Sequence, residues 1–208
     1  MTTVGLDIDE SGKPEAIAVA RTERKKDERG KTRTHYNVSV LERLSARPPD
    51  EAVERVAEIV DEATRLDRGK RPTLYGNVTA TGRPALGALS ANGIRARMKP
   101  IYLTEGDQQS EEGGAVKLGK DRLVCRLQDL LQDRRLHLPD TAEARELMQE
   151  LLDWTPDSLG SLTTAVGLAV WRVPMEVTVR IVGGPGTSTR TRDFGMARAM
   201  RESLGPTS

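Results

Sequence analysis

The chain has 208 residues, of which 37% are hydrophobic, 30% charged and 3% aromatic, and its formal net charge is +1. Its one cysteine excludes an intramolecular disulfide and a cysteine-based zinc site, and two histidines are too few for a histidine-rich metal site. The few aromatics argue against a platform for stacked single-stranded bases. No apolar run reaches the ~20 residues of a membrane span, and a strand pattern starts near Met1. We therefore expect a cytoplasmic protein without membrane contact.

The N-terminal part of the sequence predicts three strands. Residues 4–8 and 16–20 are apolar runs separated by a turn signal at 11–14, and residues 36–44 alternate between apolar and polar. The connection between the second and third strands, 21–34, carries seven basic and three acidic residues. We expect an antiparallel meander with this basic connection as a loop or ribbon tip.

Helices and strands alternate in the middle of the chain. Apolar residues at helical spacing predict a helix over 49–66. Strands are predicted at 72–78 and 95–104, with a short helix between them. Residues 105–119 are polar and rich in glycine, which favours a surface loop.

Three more helices are predicted at 120–134, 141–153 and 161–172, the second with Asp140 and Glu143 as its N-terminal box. This order indicates an α/β protein with a mixed five-stranded sheet flanked by helices. The ribonuclease H-like fold has the same order of elements. We assign one domain to 1–173 and a C-terminal extension to 174–208, comprising an edge strand and a flexible basic tail.

Two carboxylates stand at the end of the first predicted strand. Asp7 and Asp9 are two residues apart, so in a strand both side chains point to the same face. Mg²⁺ prefers hard oxygen ligands, and two-metal nucleases hold their ions with carboxylates from several elements. The pair predicts a divalent-metal site. The alternative is that Asp7 caps a turn and Asp9 is solvated.

Four segments, taken in order, carry a resemblance to a known family. They are VGLDIDESGKPEAIAVA (4–20), LYGNVTATGRPALGAL (74–89), GGAVKLGKDRLVCRLQDLLQDRRLHLP (113–139) and LGSLTTAVGLAVW (159–171). Together they resemble the nuclease domain of phage terminase large subunits, the DNA-packaging motor protein, over about residues 3–173. The resemblance implies a ribonuclease H-like fold, a phage or prophage origin, and Mg²⁺- or Mn²⁺-dependent cleavage of double-stranded DNA.

The resemblance also assigns three metal-binding positions. Asp7 matches the first aspartate of the family, but Asn77 stands at the second position and Ser161 at the third. An amide brings no charge and a hydroxyl is a poor substitute for a carboxylate, so we expect cleavage to be weak or lost. Acids that could replace the missing ligands are Glu105, Asp107 and Asp157, of which Asp157 lies one turn before Ser161.

Basic residues are candidates for contacts with DNA phosphates, although such a segment is also compatible with a solvated hairpin tip. Lys120 matches the lysine that opens the long helix of the family. The full set is Arg24, Lys25, Lys26, Arg29, Lys31, Arg33 and Lys120.

Two functions follow from these features. The first is a metal-dependent DNA endonuclease. The second is a non-catalytic DNA-binding or assembly module of a phage packaging complex. Another ribonuclease H-like protein, such as a junction resolvase, or a sugar-kinase-like fold is a weaker alternative. The sequence contains no G-x-x-x-x-G-K-[ST] stretch, so we expect any packaging ATPase to be a separate partner, alongside a portal or other phage assembly protein.

Overall fold

A mixed sheet organises the described part of the protein. The computed structural model describes residues 1–26, 30–81, 84–155 and 158–171. The strands are β1 (Thr2–Ile8), β2 (Pro14–Lys26), β3 (Thr32–Arg43), β4 (Thr73–Asn77), β5 (Arg97–Thr104), β6 (Gln109–Glu112), β7 (Ala115–Gly119) and β8 (Leu136–His137). The helices are α1 (Pro49–Leu66), α2 (Pro84–Ala91), α3 (Lys120–Gln132), α4 (Ala142–Leu152) and α5 (Ser161–Val170).

The strand order is β6-β7-β5-β4-β1-β2-β3-β8. Strands β1, β2 and β3 form an antiparallel meander, whereas β4, β5 and β7 continue the sheet parallel to β1. Strand β6 is antiparallel to β7 at one edge, and β8 is parallel to β3 at the other. The carboxyl ends of β1, β4, β5 and β7 therefore lie along the same edge of the sheet.

The prediction of five strands was wrong, because the described part of the chain contains eight. Residues 105–119, predicted as a surface loop, include the β6–β7 hairpin. Strand β7 buries Val116 and Leu118 and pairs with β5. Its short apolar pattern lies among glycines and polar residues, and the pairing that stabilises it involves a strand distant in sequence. Local periodicity could not reveal that pairing.

The helices agree more closely with the sequence. Helix α1 occupies the predicted residues 49–66. Helix α4 lies within its predicted range, but the Asp140 box was wrong: the side chain of Thr141 accepts the N–H of Ala144, and Asp140 pairs with Arg145. The predicted edge strand and tail at 174–208 lie outside the described residues.

Two layers of helices cover the sheet. On one face, Val4, Leu6 and Ile8 of β1 belong to an apolar core that α1 and α2 complete. On the other face lies α5, in which every residue after Ser161 is buried. Helices α3 and α4 pack against α5. Strand β1 is thus covered on both faces, as expected for a central strand of an α/β sheet.

Helix α5 lies unusually close to β1, and Gly5 makes this approach possible. A Cβ atom at Gly5 would lie 1.9 Å from the carbonyl oxygen of Ala165 and 2.5 Å from the amide nitrogen of Ala169. The hydroxyl of Thr3 donates a hydrogen bond to the carbonyl of Ala169. The face of β1 that carries Thr3, Gly5 and Asp7 is therefore the face that α5 covers.

We expect Gly5→Ala to lower the free energy of unfolding by at least about 3 kcal/mol, because the added methyl group meets backbone atoms that cannot rotate away. Gly87→Ala is the matched control, since a Cβ there has open space in α2. That change should be neutral or stabilising by about 0.5–1 kcal/mol. Urea unfolding of both variants measures the difference, and equal stabilities would contradict the close approach.

Candidate functional site

The structure brings Asp7 and Asn77 together at the carboxyl edge of the parallel strands. Asp7 lies near the end of β1, and Asn77 is the last residue of the neighbouring β4. The amide Nδ2 of Asn77 donates a hydrogen bond to Oδ1 of Asp7 at 2.8 Å. The first two positions assigned by the resemblance are therefore adjacent in space.

The local hydrogen bonds fix the orientation of the Asn77 amide. Its Oδ1 accepts from the backbone N–H of Thr79 at 3.1 Å and from the Thr79 hydroxyl at 2.6 Å. The Thr79 hydroxyl in turn accepts from the backbone N–H of Leu103 at 2.7 Å. Because a backbone N–H can only donate, the amide oxygen must face Thr79 and the NH₂ group must face Asp7. Asn77 thus offers Asp7 a donor and turns its oxygen away.

Asp7 is buried, with 7% of its surface exposed. Burial raises its pKa from the usual 3.8 to about 7, because the charged form is poorly solvated there. The hydrogen bond from Asn77 acts in the opposite direction, whereas the negative charges of Glu15 and Glu150 raise the pKa further. Within the described residues, no lysine or arginine forms an ion pair with Asp7, so this carboxyl group is close to half-protonated at neutral pH.

Asp9 has a different role from the one predicted. Strand β1 ends at Ile8, and its pairing with β2 shifts register there. The Oδ1 of Asp9 accepts from the N–H and hydroxyl of Ser11 at 2.8 and 2.6 Å, and from the N–H of Lys13 at 2.9 Å. Desolvation raises the pKa of Asp9, but these hydrogen bonds outweigh it and lower the pKa. Asp9 therefore caps the β1–β2 turn. The alternative interpretation of the sequence gave this role to Asp7, which is buried instead.

An arginine occupies the region of the third assigned position. Arg43 of β3 pairs with Ala16 of β2, which pairs with Asp7, so the three side chains point to the same face. The Nη1 of Arg43 donates to the hydroxyl of Ser161 at 2.8 Å. Ala169 lies over Thr3 and Ala165 over Gly5, so four residues of α5 span the same length as two residues of β1. Continuing this match by one step places the first turn of α5, which begins at Ser161, above Asp7.

Two glutamates of α4 complete this network. Arg43 donates to Oε1 of Glu150 at 2.9 Å and to Oε2 of Glu146 at 3.3 Å. The other carboxylate oxygen of Glu150 accepts the N–H of Thr163 at 2.8 Å and so caps the start of α5. These groups line a cleft of about 310 Å³ whose walls are formed by Arg43, Glu146, Gln149, Glu150, Asp153, Ser158 and Gly160.

Sequence reasoning missed Arg43, Glu146 and Glu150. The two glutamates are four residues apart in a helix that was correctly predicted, so their shared face was visible. Their meeting with Arg43 depends on how α4 and β3 pack, which no local pattern indicates. The charge of Glu150 also contributes to the raised pKa of Asp7.

The candidate replacement ligands do not gather at Asp7 in the described structure. Glu105 accepts from Nζ of Lys120 at 2.6 Å, which links the ends of β5 and β7. Burial raises the pKa of the Cys125 thiol in α3, and the negative charges of Asp129, Asp121 and Asp107 raise it further, with Asp107 contributing least of the four. Asp157 lies outside the described residues. Among those described, no three His, Cys, Asp or Glu side chains are arranged to hold a metal ion.

The described residues therefore do not fit the two-metal centre that the resemblance implies. Asp7 has a pKa of about 7 and faces an amide NH₂ group. Glu150, one of the two glutamates whose charge raises the pKa of Asp7, already binds the guanidinium of Arg43. The positive charge of this region is thus supplied by an arginine side chain.

The basic residues lie on an extension of the β2–β3 hairpin. Arg24, Lys25 and Lys26 are exposed at the end of β2. Arg33 lies on β3, where Nη1 contacts Asp133 at 3.4 Å. Lys31 is exposed just before β3, and Arg29 lies outside the described residues. Lys120 is separate from this group, at the start of α3, where it is engaged by Glu105.

No protein-family model matches this sequence, and no curated protein or solved structure matches it significantly. Among the described residues, no helix combines the length and apolar character needed to cross a membrane.

We expect the contribution of Asp7 to the stability of the protein to fall as the pH rises from about 4 to about 7. The folded state keeps a proton on Asp7 up to about pH 7, whereas the unfolded chain releases it near pH 3.8, so the folded state binds more protons in this window. Asp7→Asn removes this titration and keeps the shape. The variant should gain stability relative to the native chain across this window, by a few kcal/mol at most, since one pKa unit corresponds to about 1.4 kcal/mol.

Urea unfolding of both proteins at pH 4, 5, 6, 7, 8 and 9 measures this difference, which should reach a plateau above about pH 8. A difference that does not change with pH would show that Asp7 is ionised throughout.

Proposed function

We propose that this chain is a ribonuclease H-like domain of the terminase nuclease type, from a phage or prophage, that binds double-stranded DNA and has lost metal-dependent cleavage. The observation that carries the proposal is the network at the carboxyl edge of β1, where Asn77 turns its NH₂ group to Asp7 and Arg43 binds Ser161 and Glu150. The four sequence segments that resemble the family supply the choice of family.

The sheet supports this choice of fold. Its central part has the order β5-β4-β1-β2-β3, with β1, β2 and β3 antiparallel and with β4 and β5 parallel to β1. Helix α1 lies between β3 and β4 in sequence, and α2 between β4 and β5. This is the element order from which the ribonuclease H-like fold was expected, extended at one edge by the β6–β7 hairpin.

Electrostatics argues against cleavage. Two divalent ions about 4 Å apart repel strongly and require several negative ligands, which two-metal nucleases supply as carboxylates. Here the buried carboxyl group of Asp7 has a pKa of about 7. An incoming cation would also have to displace the guanidinium of Arg43 from Glu150. Of the three positions that the resemblance assigns to metal binding, only Asp7 is an acid, so the negative charge that holds a metal pair is missing at two of them.

DNA binding would use the basic extension of the β2–β3 hairpin, whose cations can displace counterions from phosphates. As a domain of a packaging machine in the host cytoplasm, the protein would act with a separate packaging ATPase, a portal or another phage assembly protein. In that setting, binding without cutting would hold or guide the DNA that its partners move.

We expect the native chain to shift a labelled DNA duplex at low salt but to leave supercoiled plasmid intact in 5–10 mM Mn²⁺ or Mg²⁺, a customary assay range. Asp7→Asn should behave identically in both assays. A relocated active site would instead give cleavage by the native chain that disappears in Asp7→Asn. Absence of a shift at every salt concentration would contradict the DNA-binding role.

Restoring the two missing acids should not by itself produce strong metal binding while Arg43 is present. We expect Asn77→Asp with Ser161→Asp to bind Mn²⁺ weakly, because Arg43 already lies 2.8 Å from the Ser161 hydroxyl and would pair with the new carboxylate. Adding Arg43→Gln should increase Mn²⁺ affinity at least tenfold, as measured by electron paramagnetic resonance of free Mn²⁺. Equal affinities of the double and triple variants would show that Arg43 does not control this site.

A further inference from the structure

The basic extension of the β2–β3 hairpin is a two-stranded ribbon, here called the basic ribbon and defined as residues 23–26 and 32–35. The segment before and within β8 still contacts its β3 strand: Arg135 donates to the carbonyl of Thr34 at 2.9 Å, Asp133 contacts Arg33, and His137 stacks on His35. The pairing of β1 with β2 ends at Arg21, and the pairing of β8 with β3 starts at Tyr36. Beyond these points, β2 and β3 pair with each other through four residue pairs, Glu23 with His35 to Lys26 with Thr32. At ~3.3 Å per residue, these pairs extend about 13 Å past the rest of the sheet.

The two faces of the basic ribbon both carry positive charge. In an antiparallel pair, directly opposed residues share a face, and successive residues alternate between faces. Arg24 and Lys26 therefore lie on one face, opposite Thr34 and Thr32. Lys25 and Arg33 are opposed to each other and lie on the other face together with Glu23, so this face carries two cations and one acid.

Two basic faces indicate how the basic ribbon meets a polyanion. A ribbon that lies flat on a single row of phosphates needs cations on one face only, and the opposite face would face solvent. Cations on both faces are instead suited to a channel with phosphates on either side, because each face then has its own row of negative charge.

The dimensions select the kind of channel. A sheet with side chains on both faces is about 10 Å thick, and the major groove of B-form DNA is about 12 Å wide and admits a two-stranded ribbon. The minor groove is about 6 Å wide, and the major groove of A-form RNA is deep and narrow. The basic ribbon has no Phe, Tyr or Trp side chain on which single-stranded bases could stack, and the ring of its His35 already stacks on His137.

Two contacts that engage cations of the basic ribbon are weak. Lys25 contacts Glu23 at 3.1 Å and Arg33 contacts Asp133 at 3.4 Å, and all four side chains are at least 41% exposed. Exposed ion pairs of this kind contribute little to stability and are screened by salt. Phosphates can therefore replace these carboxylates without disturbing the fold.

We infer that the basic ribbon enters the major groove of B-form DNA between the two phosphate backbones, with the Arg24 and Lys26 face toward one backbone and the Lys25 and Arg33 face toward the other. This inference rests on the proposed function, since it specifies the DNA that the proposed binding surface takes. The residues that recognise duplex DNA are then different from the carboxylates at the end of β1.

The test compares two double variants that remove the same charge from opposite faces. Arg24→Ala with Lys26→Ala and Lys25→Ala with Arg33→Ala are titrated by fluorescence anisotropy against a labelled 30-base-pair duplex at several salt concentrations. Each should make the plot of log affinity against log salt shallower by about 1.8, because each phosphate contact contributes about 0.9 to the slope. Arg95→Ala with Arg97→Ala, which removes two exposed charges elsewhere, should change the slope little.

A loss of slope confined to one face would overturn the inference in favour of flat binding. Competition with double-stranded RNA or single-stranded DNA of the same sequence gives the second readout, and each should compete at least tenfold less well than duplex DNA. Equal competition by either would also overturn the groove assignment. Thermal unfolding of each variant confirms that it is folded. A native chain that binds no DNA at any salt concentration defeats the proposed function itself, whereas binding with unequal faces defeats only this inference.

Discussion

The contact between the backbones of α5 and β1 is the constraint on which the rest of this structure depends. Because Gly5 has no side chain, the carbonyl of Ala165 lies where a Cβ atom would be. Thr3 then donates to the carbonyl of Ala169, which fixes the helix along the strand. This contact buries the odd-numbered face of β1 and brings the first turn of α5 over Asp7. A bulkier residue at Gly5 would move the helix outward and open the site to water.

The burial created by α5 sets the electrostatics of the site. Asp7 loses hydration, so the neutral form becomes competitive near pH 7, and Asn77 offers a hydrogen bond that suits either protonation state. Next to it, the guanidinium of Arg43 neutralises Glu146 and Glu150, and Glu150 also caps α5. A carboxylate that caps a helix and binds an arginine contributes to folding, so these acids have a structural role that a metal ligand would have to give up.

The site and the basic ribbon are built from the same strands but obey different constraints. In the covered part of the sheet, β2 is apolar, and its residues from Ala16 to Ala20 are buried. In the part of the chain that the structure describes, no third strand pairs with β2 beyond Arg21, its side chains become solvent-exposed, and the sequence changes to charged residues and threonines. Charged side chains cost little free energy on such an extension because water solvates them. Substitutions on the basic ribbon therefore leave the buried site unaffected.

The sequence by itself determined the elements whose signals are local. The apolar periodicity of 49–66 predicted α1, two apolar runs and one alternating segment predicted the meander, and the charge of 21–34 predicted a basic connection between β2 and β3. Only the tertiary structure decided what depends on packing between distant segments. In the folded chain β7 pairs with β5, and Asp9 hydrogen-bonds within a turn whereas Asp7 is buried. Arg43 binds Glu150, which lies 107 residues further along the sequence. The physical reason is that burial and long-range pairing set the charge state and partners of a side chain, and neither is encoded in its immediate neighbours.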